Sequence, residues 1–98
     1  MPAAKVYSIV DVEILDPALF QKYVDGHQKT LEPFGGRFLV AGGNFDVIEG
    51  DWTPKTVVIH EWPNREAFQK WYNSDDYTPW KQIRHQAAKA NVIVVDGL

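Results

Sequence analysis

Three extended segments of this chain carry apolar side chains on both of their faces. In Val6 to Ile14, the residues Val6, Ser8, Val10, Val12 and Ile14 fall on one face and Tyr7, Ile9, Asp11 and Glu13 on the other, because side chains alternate along a strand. Thr56 to Trp62 is mostly β-branched and again apolar front and back, and Asn91 to Asp96 contains four aliphatic residues in a row. A sheet built from such strands exposes grease wherever it is left uncovered, so both of its faces need cover. A chain of 98 residues has to supply or recruit that cover.

The segments between the strands show what is at hand. Asp16-Pro17 pairs an N-cap with proline at the first helical position, which starts a helix. Phe20, Tyr23, Val24, His27 and Leu31 then recur by threes and fours as one helix face. Pro33 and Gly35-Gly36 stop it. Arg37 to Ala41 reads as a second strand. Gly42-Gly43 reads as a bulge or kink in a longer β arm that resumes at Phe45 to Glu49 and forms a hairpin with Thr56 to Trp62. Gly50-Asp51-Trp52-Thr53-Pro54 carries turn chemistry. Asn64 caps a second helix with Ala67, Phe68, Trp71 and Tyr72 inward. Asn73 to Asp76 breaks it, and Thr78-Pro79 starts another with Trp80, Ile83 and Ala87 inward.

The order is β-α-β-β-α-α-β. Two β-α-β units, the second with a broken helix, make the ferredoxin-like α+β plan: an antiparallel sheet with helices on one face, as a single domain over residues 1–98. One layer of helices covers one side of the sheet. A second copy of the same sheet is the simplest cover for the other, so the chain is expected to be a homodimer.

Composition narrows the partners. With 45% hydrophobic and 23% charged residues the chain matches a folded soluble domain. Ten basic residues are scattered against thirteen acidic ones, a net charge of -3. A nucleic-acid binder would concentrate them, so none is expected. No apolar run approaches the roughly 20 residues that span a bilayer, so no membrane partner is expected. Met-Pro-Ala-Ala-Lys lacks the apolar core of a secretion signal, and a cytoplasmic location is expected. There is no cysteine, and the three histidines have no close spacing, so neither a metal site nor any other cofactor is expected. The glycine pairs lack the lysine of a phosphate-binding loop, and the first follows a helix rather than a strand.

Gly-Gly-Arg-Phe-Leu-Val-Ala-Gly-Gly at 35–43, Glu49-Gly50-Asp51-Trp52, and Trp71-Tyr72-x-Ser74-x-x-Tyr77 ending at Arg84, together with the opening strand and Asp16-Pro17, resemble the family called domain of unknown function 1330 over essentially the whole chain. That resemblance implies a dimeric α+β barrel, in which two ferredoxin-like sheets pack face to face. The superfamily includes cofactor-free monooxygenases, haem-binding enzymes, lactone isomerases and plain binding domains, so the resemblance implies a fold and not a reaction.

Arg84 is the sharpest pointer to a site. It falls four residues after Trp80 and three before Ala87, on an otherwise apolar helical stripe, where a guanidinium needs a carboxylate or a bound anion. One reading has it gripping the carboxylate or enolate of a small molecule; the other pairs it structurally with Glu61 or Asp11. Asp11 and Glu61 are candidate general bases if they share a partly apolar cleft. His60 points away from Glu61 along the strand and is either a core or interface histidine or a proton shuttle. Tyr23, Tyr72, Tyr77 and Trp80 are candidate walls for a planar ligand, although aromatic stripes also build cores. Ser74 is expected to cap the helix break, with ligand contact as the alternative. Two functions follow: a dimeric domain binding a small anionic or carboxylated molecule between sheet and helices, or a cofactor-free isomerase-like or oxygenase-like enzyme using Arg84 and a strand carboxylate.

Overall fold

A computed structural model describes residues 5–98; Met1 to Ala4, most of the segment read as lacking a secretion signal, lie outside them. Strand β1 spans Val6–Ile14, helix α1 Pro17–Leu31, β2 Arg37–Ala41, β3 Val57–Trp62, α2 Arg65–Tyr72, α3 Thr78–Ala87 and β4 Ala88–Asp96, with a 3-10 turn at Glu32–Phe34 after α1. The four strands form one antiparallel sheet in the order β2-β3-β1-β4. This is the α+β, ferredoxin-like arrangement expected of the β-α-β-β-α-α-β pattern.

The helix starts rest on the residues that announced them. The Asp16 side chain accepts a hydrogen bond from the Leu19 amide at 3.1 Å, with Pro17 opening α1. Asn64 accepts from the Ala67 amide at 2.8 Å. Each bond satisfies one of the amides that a helix N-terminus leaves free.

Two boundaries differ from expectation. Phe45 to Glu49 is not a strand, and the hairpin partner of β3 is β2 itself. Gly42 adopts φ 78°, a left-handed conformation suited to glycine, and its amide closes onto the Val57 carbonyl at 2.9 Å. The chain turns out of the sheet there, so the glycine pair ends the strand rather than kinking it. The irregularity in the ladder lies earlier, between Phe38 and Val40. β4 begins at Ala88 rather than Asn91, because β1 is nine residues long and pairs along its whole length, as far as Ile14 with Ala88. A nine-residue partner is required, so the chain passes from α3 into β4 without a loop.

All helical cover lies on one side. Val6, Ser8, Val10 and Val12 are buried beneath it, each under 7% exposed. The opposite face carries Tyr7, Ile9, Ile59, Ile93 and Val95, with Ile93 59% and Val95 44% exposed. The molecule is a slab 16 Å thick and 41 by 36 Å across, about one sheet and one helix layer deep. No helix among the described residues is long and apolar enough to cross a membrane.

Candidate functional site

Beneath the helices the core divides. One cluster gathers Val6, Tyr23, Leu31, Trp62, Phe68, Trp71 and Tyr77; a smaller one holds Val10, Val12 and Ala88. Between them lies a cavity of about 130 Å³, close to the size that accepts a single benzene ring. The register of the sheet orders its floor. Ser8 stands opposite His60, and Val10 opposite Val58, so a polar row gives way to valines along β1.

Strand period two aims His60 inward together with Val58 and Trp62. The Trp62 indole donates to Ser8 Oγ at 3.0 Å, and Ser8 Oγ lies 2.7 Å from His60 Nδ1. With an indole proton already on its oxygen, the serine hydroxyl has one neighbour to donate to, and that is Nδ1. The arrangement that leaves fewest of these groups unsatisfied puts the ring proton of neutral His60 on Nε2, which is buried and has no hydrogen-bond partner among the described residues. Burial, then the nearby His27 and Arg84 charges, push the pKa of His60 down to about 4. It is a neutral donor at pH 7.

Arg84 reaches the same cavity from α3, two turns after Tyr77. Its Nη1 donates to the Tyr77 hydroxyl at 3.4 Å and its Nη2 to His85 Nε2 at 3.3 Å. The Nε–H is buried without a partner among the described residues. The residue is only 7% exposed, and no carboxylate pairs with it among the described residues. A buried cation in that state carries an unpaid desolvation cost of several kcal/mol.

The roof comes from α1. Tyr23 and His27, one helical turn apart, stack with ring centroids 4.0 Å apart. Tyr23 and Tyr77 join hydroxyl to hydroxyl at 2.8 Å. Two phenols sharing one such bond leave one O–H proton over, a further donor at the site. Burial raises the pKa of both tyrosines, reinforced at Tyr23 by Tyr77, so they stay protonated. His27 Nδ1 lies 2.8 Å from the Tyr23 carbonyl. A carbonyl can only accept, so Nδ1 carries the proton and Nε2 is a lone pair. Burial lowers the pKa of His27 as well.

The sequence over residues 5–98 matches the family described as domain of unknown function, DUF1330. The chain belongs to that family. No curated protein matches it. Among solved structures, this DUF1330 chain is similar to the RPA0582 protein of Rhodopseudomonas palustris, itself of unknown function, at 19% identity and TM-score 0.79, over 97% of this chain and 83% of the other. It is similar to SnoaB of Streptomyces nogalater, described as a cofactor-independent oxygenase, at 12% identity and TM-score 0.67, over 98% and 95% of the two chains. A dimeric ferredoxin-like protein of unknown function from Thermobifida fusca matches at 10% identity and TM-score 0.64, over 97% and 92%. At such identities the likeness establishes the fold.

Of the residues singled out in the sequence of this DUF1330 chain, Arg84, His60, Tyr23, Tyr72 and Tyr77 meet at the cavity. Asp11 and Glu61 do not. Both stand on the open face of the sheet, so neither pairs with Arg84 nor reaches what it would hold. Glu61 takes Arg37 at 2.8 Å, Lys5 at 3.4 Å and the Tyr7 hydroxyl at 3.3 Å. Its partial burial opposes, but Arg37 and Lys5 outweigh, so its pKa is lowered. Asp11 accepts from the Lys55 amide at 2.8 Å and the Trp52 indole at 3.3 Å, tying down the segment that leaves β2. Ser74 caps the helix break, donating to the Trp71 carbonyl at 2.7 Å and accepting from the Tyr77 amide at 3.2 Å. That orients Tyr77 without lining the cavity. Trp80 lies over Gly26 and braces α3 on α1.

Ser8 and His27 belong to the site, although the sequence reading gave neither a role there. The signals were present: a serine in the middle of a valine face, and an imidazole on the inward stripe of α1. Among the described residues no three His, Cys, Asp or Glu side chains gather closely enough to hold a metal ion.

Proposed function

We propose that this domain binds a small, planar, anionic molecule, about one aromatic ring in size and bearing a carboxylate or equivalent oxyanion, between sheet and helices. One observation carries the reading: Arg84 and His60, each with a buried N–H that has no partner among the described residues, stand among the residues around an apolar aromatic cavity that contains no acidic group. An anion would satisfy both and neutralise a cation that the fold leaves unpaired. The aromatic side chains of Tyr23, Phe38 and Tyr72 supply apolar walls.

A thermal-shift series with benzoate, 4-hydroxybenzoate and phenylacetate, on the native protein and on Arg84→Gln, tests this. At a ligand concentration 100 times Kd, binding adds about 2.7 kcal/mol to stability. A rise in Tm for the native protein that the variant lacks supports the reading. No response to any of the three, or an equal response in the variant, removes it.

The same domain is proposed to work as a homodimer through the open sheet face. Ile59 and Ile93 flank Ile9 at the centre of that face, in register with it, and no helix among the described residues covers them. Sedimentation of the native protein and of Ile93→Lys measures this. A native protein that is monomeric at micromolar concentration refutes it.

A further inference from the structure

Arg84 and His60 can only donate, whereas His27 faces the same cavity with a free lone pair. From this arrangement we infer an activity: His27 abstracts a proton from carbon adjacent to the carbonyl of a bound 2-oxo acid, and Arg84 and His60 hold the enolate that results. The inference rests on the anion-binding reading and goes beyond it, since binding alone needs no base.

The groups are divided between roof and floor. His27 descends from α1, stacked on Tyr23 and held in its tautomer by the Tyr23 carbonyl. His60 rises from β3, with its tautomer set by the Trp62–Ser8 relay. Phe38 meets both imidazoles edge-on, at centroid distances of 5.6 and 4.7 Å, which keeps them from stacking together. A planar ligand between the layers presents one face to a base and its oxygen atoms to donors. The carboxylate goes to Arg84 Nε–H and the neighbouring keto oxygen to His60 Nε2–H. The cavity admits one ring beside the valine end, so the substrate class is a β-aryl 2-oxo acid or an equally small enolisable carboxylate.

The proton and electron count closes without a further reagent. The C–H bond at the benzylic carbon breaks and an N–H bond forms on His27 Nε2, giving imidazolium. The C–H electron pair becomes the C=C bond of the enolate, and the carbonyl π pair moves to oxygen, where His60 and Arg84 stabilise it. Return of the proton to oxygen gives the enol, and return to carbon restores the ketone. His27 faces Tyr23, Tyr77, His60 and Arg84. In the empty site burial disfavours imidazolium, and the Arg84 charge adds to it in the same direction. A bound anion offsets the guanidinium charge, so His27 becomes a stronger base when substrate is present.

The test uses phenylpyruvate in deuterated buffer, with proton NMR following loss of the methylene signal and the change in intrinsic tryptophan fluorescence reporting binding. Benzoate serves as the non-enolisable ligand. The native protein should bind both compounds and accelerate exchange above the buffer rate. His27→Gln should still bind benzoate while exchange falls about 100-fold or more, the range expected for loss of a general base. Should that variant not fold, the pH profile of the native protein replaces it. At phenylpyruvate concentrations well below saturation, where the empty site governs the profile, exchange should be level at alkaline pH and decline only below the ordinary imidazole value of 6.5, since burial lowers the His27 pKa. Binding of benzoate and phenylpyruvate without accelerated exchange, exchange undiminished in His27→Gln, or a native profile already declining above pH 7 overturns the activity and leaves anion binding standing. If neither compound binds, both readings fall.

Discussion

Replacing Gly36 by alanine is a demanding test of how this site is supported. Gly36 lies just before β2, and its φ is outside the left-handed region, so a side chain is resisted by space alone. A Cβ there would sit 2.3 Å from the nearest atom of the Trp62 ring. Ordinary contact begins at 3.4 Å, so the ring would have to retreat by about 1.1 Å. Trp62 has no room to do so. It is fully buried, packed against Phe68 and Trp71 at centroid distances of 5.5 and 5.0 Å, and tied through its indole to Ser8. Overpacking of this kind costs about 1–3 kcal/mol, and losing a buried indole hydrogen bond costs about 1–3 kcal/mol more. A total of about 2–6 kcal/mol is a large part of the roughly 5–15 kcal/mol that holds a domain of this size together. The effect also reaches the site, because Trp62 donates to the serine that sets the tautomer of His60. Urea unfolding followed by tryptophan fluorescence, together with the benzoate shift, reads both consequences. Gly43→Ala is the control, since nothing lies within 4 Å of a Cβ at that position. If Gly36→Ala stays within 0.5 kcal/mol of the native protein and binds equally well, the tight Trp62–Ser8–His60 packing is not what supports the cavity.

Three further outcomes follow from the same structure. Ser8→Ala should lose about 2–4 kcal/mol in chemical denaturation, since it strands both the Trp62 indole N–H and His60 Nδ1; a loss under 0.5 kcal/mol would contradict the relay. For His60, the folded pKa of about 4 lies below the usual 6.5, so its neutral form contributes stability above pH 6.5 that is lost as pH falls towards 4. That loss is about 3 kcal/mol, with His27 acting in the same direction, and His60→Leu should show a shallower decline in that window by denaturant titration. Glu61→Gln should leave the benzoate affinity of the native protein unchanged, because its carboxylate pairs with Arg37 and Lys5 on the opposite face; a tenfold change measured by calorimetry would mean the two faces communicate.

Local rules of the chain determined a good deal. Alternation along β1, the caps at Asp16 and Asn64, and the break at Ser74 were all readable because each depends on neighbours within a few residues. They were enough to give the element order, the ferredoxin-like plan and the inward positions of Arg84, Tyr23 and Tyr77. Phe45 to Glu49 misled for a related reason: its residues suit a strand, but pairing needs a partner edge, and β3 had already taken β2. Only the tertiary structure decided which charged groups meet. Register and strand order place Glu61 and Asp11 across the sheet from Arg84 and bring Ser8 beneath His60, 52 residues away in sequence. A hydrogen bond reaches about 3 Å in space and carries no mark in the residues that make it, so the donors of this cavity and its one imidazole lone pair became visible only once the layers had closed over them.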